Sequence, residues 1–189
     1  MVQAKQRRVI ELLPFVARCA RGRAVLVGGT ALALFYLGHR ASIDMDFAVG
    51  EGNAEFAQEL KGCLSRTGFQ TKRTAHRNVF TVHFPETAVR VEVFVPEGGI
   101  GKTKEFELAG EKILVASPEE LLRLKLASYK DRGFALDLFD MWALQRHMKK
   151  SIGGLRKLAR KRRPVDDVAE LRMIGVSDEM IRRFSSEVL

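Results

Sequence analysis

Apolar residues recur along this chain with two different periods, and the changeover falls near residue 117. Before it, short runs of period two are interleaved with longer runs of helical period. Val9, Leu12, Leu13, Val16 and Ala17 share one stripe, which predicts a helix over residues 5–21 with a kink at Pro14. Residues 23–27 read as a first strand ending in Gly28-Gly29. Thr30 is placed to cap a helix running to about residue 37, with Gly38 as its stop. A strand carrying Asp44 and Asp46 comes next, then a helix over 53–67 (Phe56, Leu60, Cys63, Leu64) and a short edge strand at 69–71. Residues 79–84 and 89–95 predict a hairpin turning through 85–88. Residues 98–103 contain Gly98, Gly99 and Gly101 and read as a loop, and 112–116 as the last strand.

Ser117-Pro118-Glu119-Glu120 is a helix start, with Ser as N-cap, Pro at the first position and Glu120 placed to close a capping box. From there the period is helical throughout, over 118–129, 134–147, 152–162, 165–174 and 178–188. The expectation is an α/β (α+β) fold in two parts. Residues 1–116 form a mixed sheet flanked by helices. Residues 117–189 form an all-helical region packed on it, with no Ser- or Gly-rich linker between them.

The chemistry begins with Asp44 and Asp46. Side chains two apart on a strand point the same way, so these carboxylates project together while Ile43, Met45 and Phe47 face the core. Like charges about 4 Å apart repel by roughly 4 kcal/mol at an effective dielectric of 20, and a cation between them removes that cost. Hard oxygen ligands with no Cys or His nearby favour Mg2+. In the later strand Val89, Val91, Val93 and Val95 form the buried face, which leaves Glu92 opposite with Arg90 and Phe94. The Gly-Gly turn opening a helix supplies backbone N–H groups suited to phosphate oxygens. Together these features indicate a metal–nucleotide site.

Composition narrows the setting. The 189 residues are 46% hydrophobic and 29% charged, as in a globular chain. No apolar run approaches the roughly 18 residues of a bilayer span, and no h-region follows the basic start, so no membrane association is expected. Cys19 and Cys63 read as buried thiols in a reducing compartment, by default the cytoplasm. Net charge is +9, and Lys149, Lys150, Arg156, Lys157, Arg160, Lys161, Arg162 and Arg163 fall in a stretch without a single acid. Such a tract is either a solvated face or a nucleic-acid contact, and its lack of compensating carboxylates favours the second.

The segments VGGTALAL (27–34) and HRASIDMDF (39–47) resemble the AbiEii/AbiGii-type toxin nucleotidyltransferases of the polymerase-β-like superfamily. The likeness continues in VRVEVFV (89–95), where Glu92 matches the third acidic position, and in SPEELLRLKLASYKDRGFALDLFDMW (117–142). There Lys125, Arg132, Asp137 and Asp140 fall on the family's Lys, Arg and Asp positions. The family more often has Asp in place of Glu92 and a basic residue in place of Leu136.

The resemblance implies transfer of a nucleoside monophosphate from an NTP to an acceptor such as RNA or tRNA, in a toxin or stress setting with an antitoxin partner. Asp44, Asp46 and Glu92 would be the catalytic acids and hold two Mg2+ ions. Gly28, Gly29, Thr30, Arg40, Ser42, Lys125 and Asp137 would bind the nucleotide. Arg156, Lys157, Arg160, Lys161, Arg162 and Arg163 would seat the RNA. Residue by residue, structural alternatives stand beside these roles: a plain N-cap for Thr30, an ion pair with Asp140 for Arg40, a solvated ammonium for Lys125. Two other classes of function also fit the pattern, a catalytically silent binding module and a nucleotidyltransferase acting on a small molecule.

Overall fold

The computed structural model describes residues 2–189. Helix α1 (Val2–Ala20) leads into strand β1 (Val25–Val27), helix α2 (Gly28–Leu32), a π-helical turn (Ala33–Leu37) and strand β2 (Asp44–Ala48). Helix α3 (Asn53–Arg66) precedes β3 (Gln70–Arg73), β4 (Val79–His83), β5 (Ala88–Phe94), β6 (Thr103–Leu108) and β7 (Glu111–Ala116). The rest is helical: α4 (Pro118–Arg132), α5 (Ala135–His147), α6 (Gly153–Lys161), a 3-10 segment (Val168–Ile174) and α7 (Asp178–Val188).

One seven-stranded mixed sheet runs in the order β3-β4-β5-β2-β1-β7-β6. β2 is parallel to β5 and antiparallel to β1, and β1 is parallel to β7. Met45, Phe47, Val91 and Val93 point to one face and are buried there under α1 and α3. Each such side chain contributes roughly 1.5–3 kcal/mol on leaving water. This burial holds α1 as one helix across Pro14, because the residues on either side of the proline (Val9, Leu12, Leu13, Val16) all pack into the same core. A second apolar cluster, built on Tyr129, Phe139, Trp142 and Phe184, fills the space among α4–α7, and Leu37 and Leu122 touch both clusters. The Trp142 indole N–H donates to Glu187 Oε2 at 2.8 Å.

Four expectations are corrected. Thr30 does not cap α2: the cap position is Val27, and the Thr30 hydroxyl lies inside the helix, where it donates to the Asp44 carbonyl and lies 2.9 Å from Ser42 Oγ. The capping box at α4 is half made. Glu120 N donates to Ser117 Oγ, but the Ser117 N–H goes to the Lys102 carbonyl and the Glu120 carboxylate to Arg123.

The stretch after residue 102 is not all loop, since β6 forms a hairpin with β7. Its residues are exposed and polar or charged except Phe106 and Leu108, as suits an edge strand, and they carry little period-two signal. The turn is Ala109-Gly110, both at positive φ, so it lacks the Asn-Gly signature of such hairpins.

Finally, Cys19 and Cys63 are not free thiols. They form a disulfide joining α1 to α3, with their Cα atoms 5.9 Å apart. Their pairing arises because the two helices lie side by side on the same sheet face, and it removes the ground on which a reducing compartment was expected. Among the described residues, no helix is long and apolar enough to cross a membrane.

Candidate active site

The parallel pairing of β2 with β5 places Asp46 directly beside Glu92 and Asp44 beside Arg90. Val27 of β1 completes the row with Asp46, so the acids face the side of the sheet that begins α2. Across from them lies α4. Leu121, Lys125, Ser128 and Arg132 recur at helical spacing on one stripe of it, and with Asp131 they form the far wall of a cleft of about 420 Å³. Val27, Gly28, Asp46, Glu92 and Phe94 form the near wall.

Gly28 is the residue that permits this closeness. Its φ is +68°, and a Cβ there would overlap the Asp46 carboxylate. A Cβ on Gly29 would likewise meet the Arg40 guanidinium.

The acids sit in unequal environments. Burial pushes the Asp46 carboxyl up to about 6; Lys125 opposes this, while the nearby Glu92 and Asp44 charges reinforce it. The buried Oδ1 of Asp44 accepts no well-aligned hydrogen bond; the Lys5 ammonium of α1 lies 3.2 Å from that same oxygen. Glu92 accepts from Arg90 Nη2 at 2.6 Å. Among the described residues no three His, Cys, Asp or Glu side chains already converge as a metal cluster. The donor set is nonetheless all oxygen, with one carboxylate oxygen met only by the Lys5 ammonium and one carboxyl whose ionised form burial disfavours. That is the pattern a hard cation would satisfy.

Behind the cleft is a buried polar network. Arg40 donates from Nε and Nη2 to the two Asp140 oxygens at 2.7 and 2.8 Å. His39 Nε2 lies 2.8 Å from Asp140 Oδ1. Lys125 Nζ is 2.7 Å from Asp140 Oδ2 and 2.9 Å from Asp137 Oδ1, and Arg132 binds both Asp137 oxygens. Burial alone would raise the carboxyls of Asp140 and Asp137, but these cations more than offset it, leaving Asp140 well below its ordinary value and Asp137 below too. Burial lowers His39 despite its contact with Asp140, which favours the neutral ring.

The residues expected to bind nucleotide therefore divide. Gly28 and Lys125 line the cleft. The side chains of Thr30, Arg40, Ser42 and Asp137 are buried and committed to partners within the protein, so they shape the cleft from behind instead of facing it. Sequence reasoning did not assign Lys5, Arg90, Ser128 or Asp131 to the site. Of these only Ser128 carried a signal, its place on the α4 stripe with Lys125.

The basic tract is also divided. Arg162 donates to the carbonyls of Lys130 and Asp131, and Arg156 to the Glu187 carbonyl. Lys157, Arg160, Lys161 and Arg163 are exposed and, among the described residues, form no ion pair.

A mixed sheet bearing acids on neighbouring parallel strands, with a Gly-Gly turn beside them, defines a protein of the nucleotidyltransferase fold. The antigenic nucleotidyltransferase-like protein from Paracoccidioides brasiliensis shares it at 17% identity (TM-score 0.57, 95% of this chain and 97% of that one). So does JHP933 from Helicobacter pylori at 18% identity (TM-score 0.59, 94% and 85%). The nucleotidyltransferase toxin MenT4 of Mycobacterium tuberculosis H37Rv is similar over 97% of this chain and 62% of its own, at 18% identity and TM-score 0.60. No curated protein matches the sequence. Residues 20–185 match the nucleotidyl transferase AbiEii toxin family of type IV toxin–antitoxin systems, and the chain belongs to that family.

Proposed function

We propose that this protein transfers a nucleoside monophosphate from an NTP to an RNA acceptor, using divalent cations, Mg2+ by donor chemistry, held by Asp44, Asp46 and Glu92. The observation that carries this reading is the Asp46–Glu92 row facing Lys125 and Arg132 across one cleft. Cations bound there would neutralise triphosphate charge and orient the α-phosphoryl group for in-line displacement. Binding them requires Lys5 to leave Asp44 and Arg90 to leave Glu92; both pairs are solvent-accessible and cheap to open.

The backbone at Gly28 and Gly29 receives phosphate oxygens, and Lys125, which lines the cleft beside Asp46, meets the triphosphate with its charge. An acceptor hydroxyl then attacks the α-phosphorus as its proton passes to Glu92. The bond to the β-phosphate oxygen breaks and pyrophosphate leaves. The protein's contribution is positioning and a fixed electrostatic environment. The family's type IV setting supports a cognate antitoxin as a further partner.

The test is incubation of the protein with α-labelled NTPs, Mg2+ and, separately, total RNA, protein and small hydroxylated acceptors. Label should enter RNA, and Asp46→Ala should abolish it while keeping the fold, since a like-charge repulsion is removed. Label in small acceptors alone would reassign the substrate. Full activity of Asp46→Ala would overturn the site.

A further inference from the structure

The cleft and the basic tract are distant in sequence, yet the fold stitches them together at the turn between α4 and α5. Arg162 donates to the carbonyls of Lys130 and Asp131, and the Tyr129 hydroxyl donates to the Arg162 carbonyl. Val165 N donates to the Gly133 carbonyl at 3.1 Å, and Ala135 N donates to Asp166 Oδ1 at 2.6 Å. Asp131 and Arg132 line the cleft. The end of the tract is thus tied to the turn that follows the cleft wall.

At that junction the surface is apolar. Phe134 is 41% exposed and Val165 66% exposed, and the Gly133–Val165 hydrogen bond brings their backbone segments together. The Arg132 guanidinium sits over the Phe134 ring, 5.2 Å from its centroid, and so backs the phenyl on one side while the residue as a whole stays exposed. Lys130 lies four residues before Phe134, and Arg160, Lys161 and Arg163 flank Arg162 along the chain; all four are exposed and, among the described residues, form no ion pair. The nearby acids are Asp131, Asp166, already bound to Ala135 N, and Asp167, which caps the 3-10 segment. An exposed aromatic ring beside a basic segment whose exposed cations are unpaired is the combination that binds unpaired nucleotides, since every base offers a π-face and every linkage a charge.

We propose that Phe134 is a stacking platform for an unpaired base of the RNA acceptor, on the path from the cleft to Arg160, Lys161 and Arg163. This rests on the RNA-acceptor reading above, and the experiment separates the two. Binding of a dye-labelled single-stranded RNA and of a blunt RNA duplex would be measured by anisotropy for wild type, Phe134→Ala and Phe134→Trp, alongside calorimetric NTP affinity as a control for folding. Removing one base–aromatic stack should weaken single-strand binding about tenfold in Phe134→Ala. Phe134→Trp should restore it, and duplex and NTP binding should stay within twofold. Transfer assays should show the RNA KM raised by the same factor with kcat retained.

Single-strand binding within twofold of wild type in Phe134→Ala, or an equal weakening for strand and duplex, overturns the platform. If wild type labels RNA and Phe134→Ala does so with an unchanged RNA KM, the platform fails and the acceptor reading stands. If the strand binds through Phe134 but no RNA is ever labelled, the acceptor reading fails and an RNA-binding surface remains. If wild type binds no RNA, both fail.

Discussion

The Lys125 ammonium lies 2.7 Å from the Asp140 carboxylate, and both side chains are almost wholly removed from solvent. Asp140 also receives Arg40 and His39 from the loop before β2, so this one carboxylate joins the sheet half of the protein to its helical half. Lys125 meanwhile lines the cleft that holds Asp46. Any nucleotide contact made by Lys125 is therefore made by a group already fixed in place, which lowers the entropic cost of binding.

Lys125→Ala and Asp140→Asn should both be strongly destabilising. Removing one partner of a buried pair leaves the others uncompensated, at a cost on the order of 3–5 kcal/mol. Lys72→Ala, on the exposed strand β3, should change stability little. Urea unfolding of the three variants checks this, and near-equal midpoints would show that the network is not holding the halves together.

Asp46 predicts an unusual pH response in the absence of metal. With its folded carboxyl raised to about 6 from an ordinary value of 3.8, the folded state holds a proton that the unfolded state has lost between those values. Stability from this group is complete below about pH 4 and declines as pH rises towards about 6. Melting temperatures in EDTA should thus carry a downward contribution over that window, which Asp46→Asn removes. Added Mg2+ should stabilise wild type more at pH 7 than at pH 5, because the ion competes with the proton. The same melting temperatures at both pH values with and without Mg2+ would contradict the assignment.

The basic tract should behave as two sets. Replacing Arg160, Lys161 and Arg163 with Gln should leave the fold intact and lower the salt dependence of RNA binding, by about 0.7 in log–log slope for each phosphate no longer neutralised. Arg162→Ala should lower thermal stability instead, on the order of 1 kcal/mol, since the Lys130 and Asp131 carbonyls are left without their donor. Gel shifts at two salt concentrations, with melting curves, tell the sets apart.

The Cys19–Cys63 bond closes a loop spanning a sequence separation of 44 residues. Chain-entropy reasoning puts its contribution at about 2–4 kcal/mol, removed by reduction or by Cys63→Ser. Denaturant titrations with and without a reducing agent measure it. Thiol labelling of the unfolded, unreduced chain should find neither cysteine free.

Local patterns alone determined much of this protein. Alternation of valines in 89–95 required Glu92 to face away from the core, and the i, i+2 spacing required Asp44 and Asp46 to face one way, because side-chain direction on a strand is a property of the strand itself. The Ser117-Pro118 start and the Gly38 stop were equally legible, since caps act within a few residues.

What only the tertiary structure decided is non-local. The register that sets Asp46 beside Glu92, the commitment of Arg40 to Asp140, and the meeting of Cys19 with Cys63 all depend on which elements pack together, and no residue records its distant partner in its own period. The same holds for β6, whose charged residues form a strand only because β7 offers them an edge. Arg162 and Phe134 are the sharpest case. One looked like any other charge in a basic run, and the other like the start of a helix. The α4–α5 turn made the first a clip and left the second exposed beside the cleft.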